Sequence, residues 1–383
     1  MPPKKAGKGA SAKKKKEAEQ EAVNQIKAAQ LKQLKAEYAA KCKHFVTEPM
    51  PVLVKRIDQE LKRSDGYEDI DKVGYQGSQI QRLVITVLVP KIILNSMSLS
   101  PNDVYSITTT FHSYAALGGI YIWRASVEMK GLEALADFLT SHPTVSVLHL
   151  MDCQITPQMA RPLSSICHSS TGLKTLVLDH NPLGAEGVGM VCAGIRENKA
   201  SALVRLSFRY CEAGSAAAES LGTALNGCLQ ELQFDGNFLG DAGLIPLTKY
   251  LRRNSTLTIL HIAANQISNN PLIPIPVSSS FPALNHPNQP TPLSTFCSMI
   301  GNENTTITLL DLRSNHIGTH GAEHVLEMLK SRKSLFTAKQ AEPLLAMVSE
   351  RMSEAMFDNI WDLNDAMAIS GKKGGKGKKG KKK

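Results

Sequence analysis

The sequence has no apolar run long enough to span a membrane. The longest, LVITVLVPKIIL at 83–94, is broken by Pro90 and Lys91. No apolar stretch follows the N-terminal lysines, so no secretory signal is expected and no membrane insertion. There is no C-x-x-C and no Cys/His cluster at zinc spacing, so the seven cysteines have neither a disulfide framework nor a metal site to join. A reducing compartment is the expectation, and the N-x-[ST] matches at Asn254 and Asn304 are read as chance. Catalytic signatures are missing as well. The sequence contains no H-E-x-x-H and no G-x-S-x-G. The GKKGGKGKKGKKK end follows no strand and opens no helix, so it is not a phosphate loop. His149, His180, His261, His316 and His320 are scattered along the chain, as solvated or locally bonded histidines usually are. The reading is of a protein that is not an enzyme and has no cofactor and no metal.

Acid is absent from both ends. Residues 1–16 hold seven lysines and residues 371–383 hold eight, with no Asp or Glu in either. The other 29 basic residues face 34 acidic ones, so residues 17–370 carry −5 although the whole chain carries +10. Segments of Lys, Gly, Ala and Ser cannot bury enough apolar surface to fold alone, so 1–16 and 371–383 are expected to be disordered tails. Lys4, Lys5, Lys13, Lys14, Lys15, Lys16, Lys372, Lys373, Lys378, Lys379, Lys381, Lys382 and Lys383 are the candidates for gripping a polyanion.

What is present is a repeat. Val89-x-x-Ile92-x-Leu94 recurs as Leu117-x-x-Ile120-x-Ile122, Val145-x-x-Leu148-x-Leu150 and Leu173-x-x-Leu176-x-Leu178. It continues as Leu203-x-x-Leu206-x-Phe208, Leu229-x-x-Leu232-x-Phe234, Leu257-x-x-Leu260-x-Ile262 and Ile307-x-x-Leu310-x-Leu312. The eight starts are 28, 28, 28, 30, 26, 28 and 50 residues apart. Alternation over L-x-L makes a short strand with one face inward. Three residues beyond stand Met97, Ala125, Cys153, Asn181, Cys211, Asn237, Asn265 and Asn315. Asn there can satisfy turn groups that no ladder pairs, and Cys or Ala packs as a small apolar residue. Glycines in PLGAEGV, FLGDAGL and HIGTHGA turn the chain into a helix, of which Leu244, Leu247 and Leu251 mark one apolar face. Asn254 and Asn304, three residues before the next unit, fit a left-handed helix cap. One such unit cannot bury its own faces, so stacked units form a solenoid.

This pattern resembles the leucine-rich repeat of the long, ribonuclease-inhibitor-like type, over roughly residues 85–335. The resemblance implies an α/β solenoid, a horseshoe or arc of about eight strand–helix units with the strands on its concave side. The long last interval places an insertion at 269–293, rich in Pro, Ser and Asn, read as an exposed strand-to-helix loop. Residues 17–84 are expected to form a helical N-terminal region and cap. In it, Leu34, Tyr38, Cys42 and Phe45 share one helix face; no heptad is sustained, and a partner-binding or coiled-coil helix is the alternative to one lying on the body. Residues 336–370 are expected to close the other end as a helical cap.

Outward strand positions give the candidate partner-binding face. They are Tyr121, Trp123, Arg124, His149, Asp152, Asp179, His180, Arg209, Tyr210, Asp235, His261, Asp311 and Arg313. Trp, Tyr and Arg are the residue types that carry interface energy. Asp179, Arg209 and Asp235 are expected to be neighbours. No basic stripe crosses this face, so nucleic acid is expected only at the tails. The expected function is a protein-binding scaffold in the cytoplasm. Its tails would grip tubulin or another acidic cytoskeletal surface, in the manner of the cytoskeletal and axonemal repeat proteins of the cilium that the tails and helical flanks resemble. A nuclear or nucleolar repeat protein contacting RNA is the second reading. A regulator of an enzyme, either a GTPase activator or a nuclease inhibitor, is the third.

Overall fold

The computed structural model describes residues 8–64, 90–225, 227–270, 290–349 and 351–374. The chain forms two compact units, Met1–Leu148 and His149–Lys383.

The first unit opens with helix α1, Lys8–His44. It starts inside the segment read as a tail, because Ala and Lys are strong helix formers and no proline lies between Pro3 and Pro49. Ala28, Leu31, Leu34, Tyr38 and Cys42 recur every three or four residues and are all buried. That face packs on α2 (Pro51–Ser64) and on α3 (Pro101–Phe111). It is therefore spent inside the unit and is not free to join a coiled coil. The Tyr38 hydroxyl accepts from the Met50 backbone N–H at 3.2 Å, and Phe45 stacks on Tyr105. Helix α2 also packs against β1 (Lys91–Asn95), where a cap should lie.

Strand β1 pairs in parallel with β3 (Gly119–Trp123), Lys91 opposite Gly119 through Asn95 opposite Trp123. A parallel pair needs a crossover, and α3 supplies it. Ser100 starts that helix with a capping box closed by Asp103. Between the main strands run the short β2 (Ser98–Leu99) and β4 (Ser126–Val127), paired with each other. Helix α4 (Met129–Ser141) packs beside α3. Strand β5 (Val147–Met151) follows and carries the chain into the second unit.

There the strands β6 (Thr175–Val177), β7 (Arg205–Ser207), β8 (Glu231–Gln233), β9 (Ile259–His261) and β10 (Leu309–Asp311) pair side by side in parallel. Their register aligns Leu176, Leu206, Leu232, Leu260 and Leu310 in one column. Each is fully buried, worth about 2 kcal/mol apiece in apolar burial. The crossovers are α5 (Ala160–Ser169), α6 (Gly184–Glu197), α7 (Ala218–Ala224), α8 (Gly240–Leu251) and α9 (Pro292–Asn302). The insertion falls between β9 and α9, as expected for a strand-to-helix loop, and its residues 271–289 lie outside the described residues.

The C-terminal end departs from an all-helical cap. After α10 (Gly318–Thr337) a further strand, β11 (Leu345–Met347), adds to β10 before α11 (Glu354–Gly374). Ala346 pairs with Leu310, so Pro343, Ala346 and Val348 stand where Ile307, Leu310 and Leu312 stand one unit earlier. With Pro and Ala at the signature positions, the leucine template passes over it. Helix α11 also continues through 371–374, four residues past the point where the tail was read to begin.

A ladder of buried asparagines joins successive repeats of the second unit. Asn181 Nδ2 donates to Leu150 O at 2.7 Å while its Oδ1 accepts from Cys153 N at 2.9 Å and Ile155 N at 3.1 Å. Asn237, Asn265 and Asn315 repeat this toward Phe208 O, Phe234 O and Ile262 O. Cys211 does more than pack: its thiol donates to Leu178 O at 3.2 Å, the bond an Asn amide makes elsewhere.

A second set of caps lies at the helix ends. Asn254 and Asn304 are not left-handed; their φ values are negative. Their side-chain amides donate to Leu225 O and Leu251 O of the preceding helix ends, at 2.5 and 2.8 Å. Their Oδ1 atoms accept from Leu257 N and Ile307 N. Both are buried inside these caps, which keeps the two N-x-[ST] sites from presenting an accessible amide. His142 holds the same place before Val145. Its Nε2 bonds Phe111 O at 3.1 Å, and its Nδ1 accepts from Val145 N at 3.3 Å and Thr144 N at 3.4 Å.

Candidate functional site

The sequence-predicted face is distributed over both units. In the first, Tyr121 and Trp123 lie on β3, half-buried, their rings edge to face at 6.1 Å. Lys91 Nζ sits 5.3 Å from the centre of the Tyr121 ring, within cation–π range. Arg124 follows and is exposed.

Arg124 also shows a feature the sequence concealed. The residue just before the Asn/Cys position is left-handed in every repeat. It is Ser96, Arg124, Asp152, His180, Tyr210, Gly236, Ala264 and Ser314, with φ between +50° and +70°. A left-handed non-glycine residue costs about 1 kcal/mol or more. The turn imposes it because the next residue must plunge into the core. Four of the candidate residues therefore stand on bent turns beyond the strand ends rather than on the strands.

In the second unit, two of these turn residues meet. His180 and Tyr210 stack with ring centres 4.9 Å apart and planes 13° from parallel. Both are exposed. The next residue in this row is Gly236, where a Cβ would lie 2.3 Å from the Tyr210 ring. The ring lies over that glycine. Asp152, at the start of the row, is exposed, and its backbone N–H donates to Asp179 O at 2.9 Å.

Along the strands and just past their ends, the polar residues hold one another. Asp179 Oδ1 accepts from Ser207 Oγ at 2.5 Å and from Arg209 N at 2.9 Å. Ser207 also meets Gln233 Oε1 at 3.1 Å. Arg209 Nε lies 3.0 Å from Asp235 Oδ2, an ion pair whose angle is too poor for a good hydrogen bond. Asp235 Oδ1 accepts from Ala263 N at 2.8 Å. The expected neighbourhood of Asp179, Arg209 and Asp235 is thus present. Further along, Arg313 grips Asp311 with two prongs, at 2.9 and 2.7 Å, and His261 Nδ1 stands 3.3 Å from the same carboxylate.

Burial pushes the Asp235 carboxyl above the usual carboxylate range, and the Ala263 and Arg209 contacts do not fully offset it. Burial pushes Asp311 the same way, but the hydrogen bonds of His261 and Arg313 win and hold it well below that range. Asp179, Asp235 and Asp311 are buried and committed to neighbours. The exposed or half-exposed side chains of the face are His180, Tyr210, Asp152, Arg313, Arg209, His149 and His261, of which Arg313, Arg209 and His261 also touch the buried carboxylates. Such a surface can pack and hydrogen-bond; no nucleophile–base pair is set up on it.

Sequence reasoning missed Ser207, whose hydroxyl joins two strands, and an apolar end to this face at Leu345, Met347 and Trp361. The signal for the latter was a lone Trp among acids in FDNIWDLND. Of the tail lysines, Lys13, Lys14, Lys15 and Lys16 lie on α1, and Lys372 and Lys373 on α11. Lys4, Lys5, Lys378, Lys379, Lys381, Lys382 and Lys383 lie outside the described residues. Among the described residues no cluster of His, Cys, Asp or Glu could hold a metal ion, and no helix is long and apolar enough to cross a membrane.

Parallel strands of one register, alternating with helices and bonded unit to unit by buried asparagines, define a leucine-rich repeat protein. A family described as "Leucine Rich repeat" matches residues 169–192 and 303–325. "NACHT, LRR and PYD domains-containing protein 12" of Mus musculus is 32% identical over 130 residues, covering 33% of this chain and 12% of that protein. "Ribonuclease inhibitor" of Sus scrofa is 26% identical over 181 residues, covering 46% of this chain and 40% of that one. The chain thus spans less than half the length of either relative. Among solved structures, the "TLR13-ssRNA13 complex" aligns over 70% of this chain and 38% of that one at 12% identity, with a TM-score of 0.31, too low to bear on fold or function. The chain is a leucine-rich repeat protein of the ribonuclease-inhibitor-like type.

Proposed function

We propose that this chain is a non-enzymatic scaffold that binds protein partners on the outward faces of its strands and turns. The observation that carries the reading is the His180–Tyr210 stack, an exposed aromatic pair held over Gly236 beside the Arg209–Asp235 ion pair. Aromatic side chains bring a large contact area and lose little freedom on binding, and Trp, Tyr and Arg dominate interface energy. We further propose that the lysine-rich ends attach the scaffold to an acidic polymer of the cytoskeleton, tubulin being the first candidate, in a cytoplasmic or ciliary setting. The charge split between tails and body supports this.

The test has two parts. Full-length protein and a Tyr210→Ala, Arg209→Ala variant are used to capture proteins from cells of the source organism. Partners lost with the variant support the face; an unchanged set of partners counts against it. Microtubule co-sedimentation then compares full-length protein with one lacking residues 1–16 and 371–383. Tail-dependent pelleting supports the cytoskeletal reading. Tail-dependent capture of RNA or ribonucleoprotein instead would favour a nuclear or nucleolar protein.

The match to a ribonuclease inhibitor raises inhibition of a basic enzyme as a second reading. It is the weaker one, because Asp179, Asp235 and Asp311 are already committed to neighbours and leave few free carboxylates for a cationic target. A GTPase activator would need a placed catalytic side chain; turnover assays with small GTPases would expose it.

A further inference from the structure

Beyond the strand face, the second unit has a cleft of about 340 Å³ between β11 and α11. Leu345, Met347 and Val348 line one side, Phe357 and Trp361 the other. Leu345 is 39% exposed and Trp361 58%, large values for side chains of this kind beside an apolar cavity. Phe357 and Trp361 stack at 6.3 Å. Asn364 hydrogen-bonds both backbone groups of Ala346, so the helix is pinned to the strand and the cleft has a set width.

The charge beside the cleft is one-sided. Asp358, Asp362 and Asp365 follow one another at four- and three-residue spacing and form an exposed stripe along α11. No basic side chain among the described residues pairs with them. Arg313, the cation in the lining, is taken by Asp311. An apolar trough beside a row of free carboxylates suits a ligand with an apolar anchor and positive flanks. The lysine-rich C-terminal segment does not qualify: GKKGGKGKKGKKK has no apolar residue to fill the trough.

We infer that this cleft docks a peptide segment of another protein carrying one or two large aliphatic or aromatic side chains flanked by lysine or arginine. Binding buries the open side of Trp361 and places the basic flanks on the acidic stripe.

The test uses the full chain and a fluorescein-labelled octapeptide, GKKLLKKG, read by anisotropy. Saturable binding is expected, at least tenfold weaker for GEELLEEG, for Trp361→Ala and for Asp362→Lys, Asp365→Lys. In a Trp123→Phe background, Trp361 emission shifts to the blue on binding. Thermal melts confirm that each variant is folded. Three results overturn the proposal: no saturation, equal binding of GKKGGKKG, or a change in sedimenting mass with Trp361→Ala, which would make a second copy the occupant.

Discussion

The carboxamide of Asn364 pairs with the backbone of Ala346 at both ends, accepting from its N–H at 3.0 Å and donating to its C=O at 2.8 Å. A side chain thereby does for the outer edge of β11 what a neighbouring strand would do. Open strand edges invite pairing with other chains.

Replacing Asn364 by Ala is expected to cost about 2 kcal/mol, since two buried backbone groups lose their partner. The variant should also form higher-order species as concentration rises. Urea unfolding and light scattering check the two effects separately. A monomeric variant of unchanged stability would show that the edge needs no cover.

The asparagine ladder sets a larger cost. Asn265→Ala leaves Asn237 N and Leu239 N without their acceptor in a fully buried site and takes from Phe234 O one of its two amide donors, the other being Asn237 Nδ2. A loss of about 3 kcal/mol is expected. Denaturant midpoints compared with those of an exposed Gln266→Ala control provide the measurement.

Gly236 should resist any side chain. Its φ of +70° disfavours a Cβ, and that Cβ would meet the Tyr210 ring at 2.3 Å. Gly236→Ala is expected to destabilise by about 2 kcal/mol. Combining it with Tyr210→Ala should recover the part due to the clash and keep the part due to φ. The double-mutant cycle separates them.

His142 makes the first unit sensitive to acid. Burial lowers its imidazole below the ordinary value, more than the hydrogen bond to Phe111 O raises it. The unfolded group titrates near ~6.5. Stability is therefore complete above that pH and declines as pH falls from there through the lower folded value. The equivalent residues Asn254 and Asn304 make the same bonds without titrating. His142→Asn should hold stability at pH 8 and flatten its decline toward pH 5. Urea midpoints at the two pH values decide it.

Much of this was legible in the chain. The leucine spacing fixed the strands because each inward position must be large and apolar, and the 28-residue rhythm fixed the crossovers. The strand β11 escaped because Pro343 and Ala346 fill its places and Asn364, eighteen residues away, completes it. The left-handed turns escaped because Arg124, Tyr210 and Ala264 carry no propensity for them, and Asp152 and His180 carry only a weak one; the neighbouring unit imposes the bend. At the candidate face, residue types could be read but not their engagements. Nothing in the one-dimensional pattern says that Ser207 and Arg209 already occupy Asp179.

The asparagine ladder also gives the stack a direction. Asn181 serves groups of the unit before it, and so do Asn237, Asn265 and Asn315. Trimming units from the C-terminal side would therefore strip each new last unit of its amide and leave bare carbonyls in its turn. Trimming from the N-terminal side would take from the amide its contacts to the lost unit and leave those to its own, such as Asn181 Nδ2 to Leu178 O. A stack wired this way loses more turn bonds at its end than at its beginning wherever an asparagine stands, while Ala125 and Cys153 mark places where one repeat follows another without an amide.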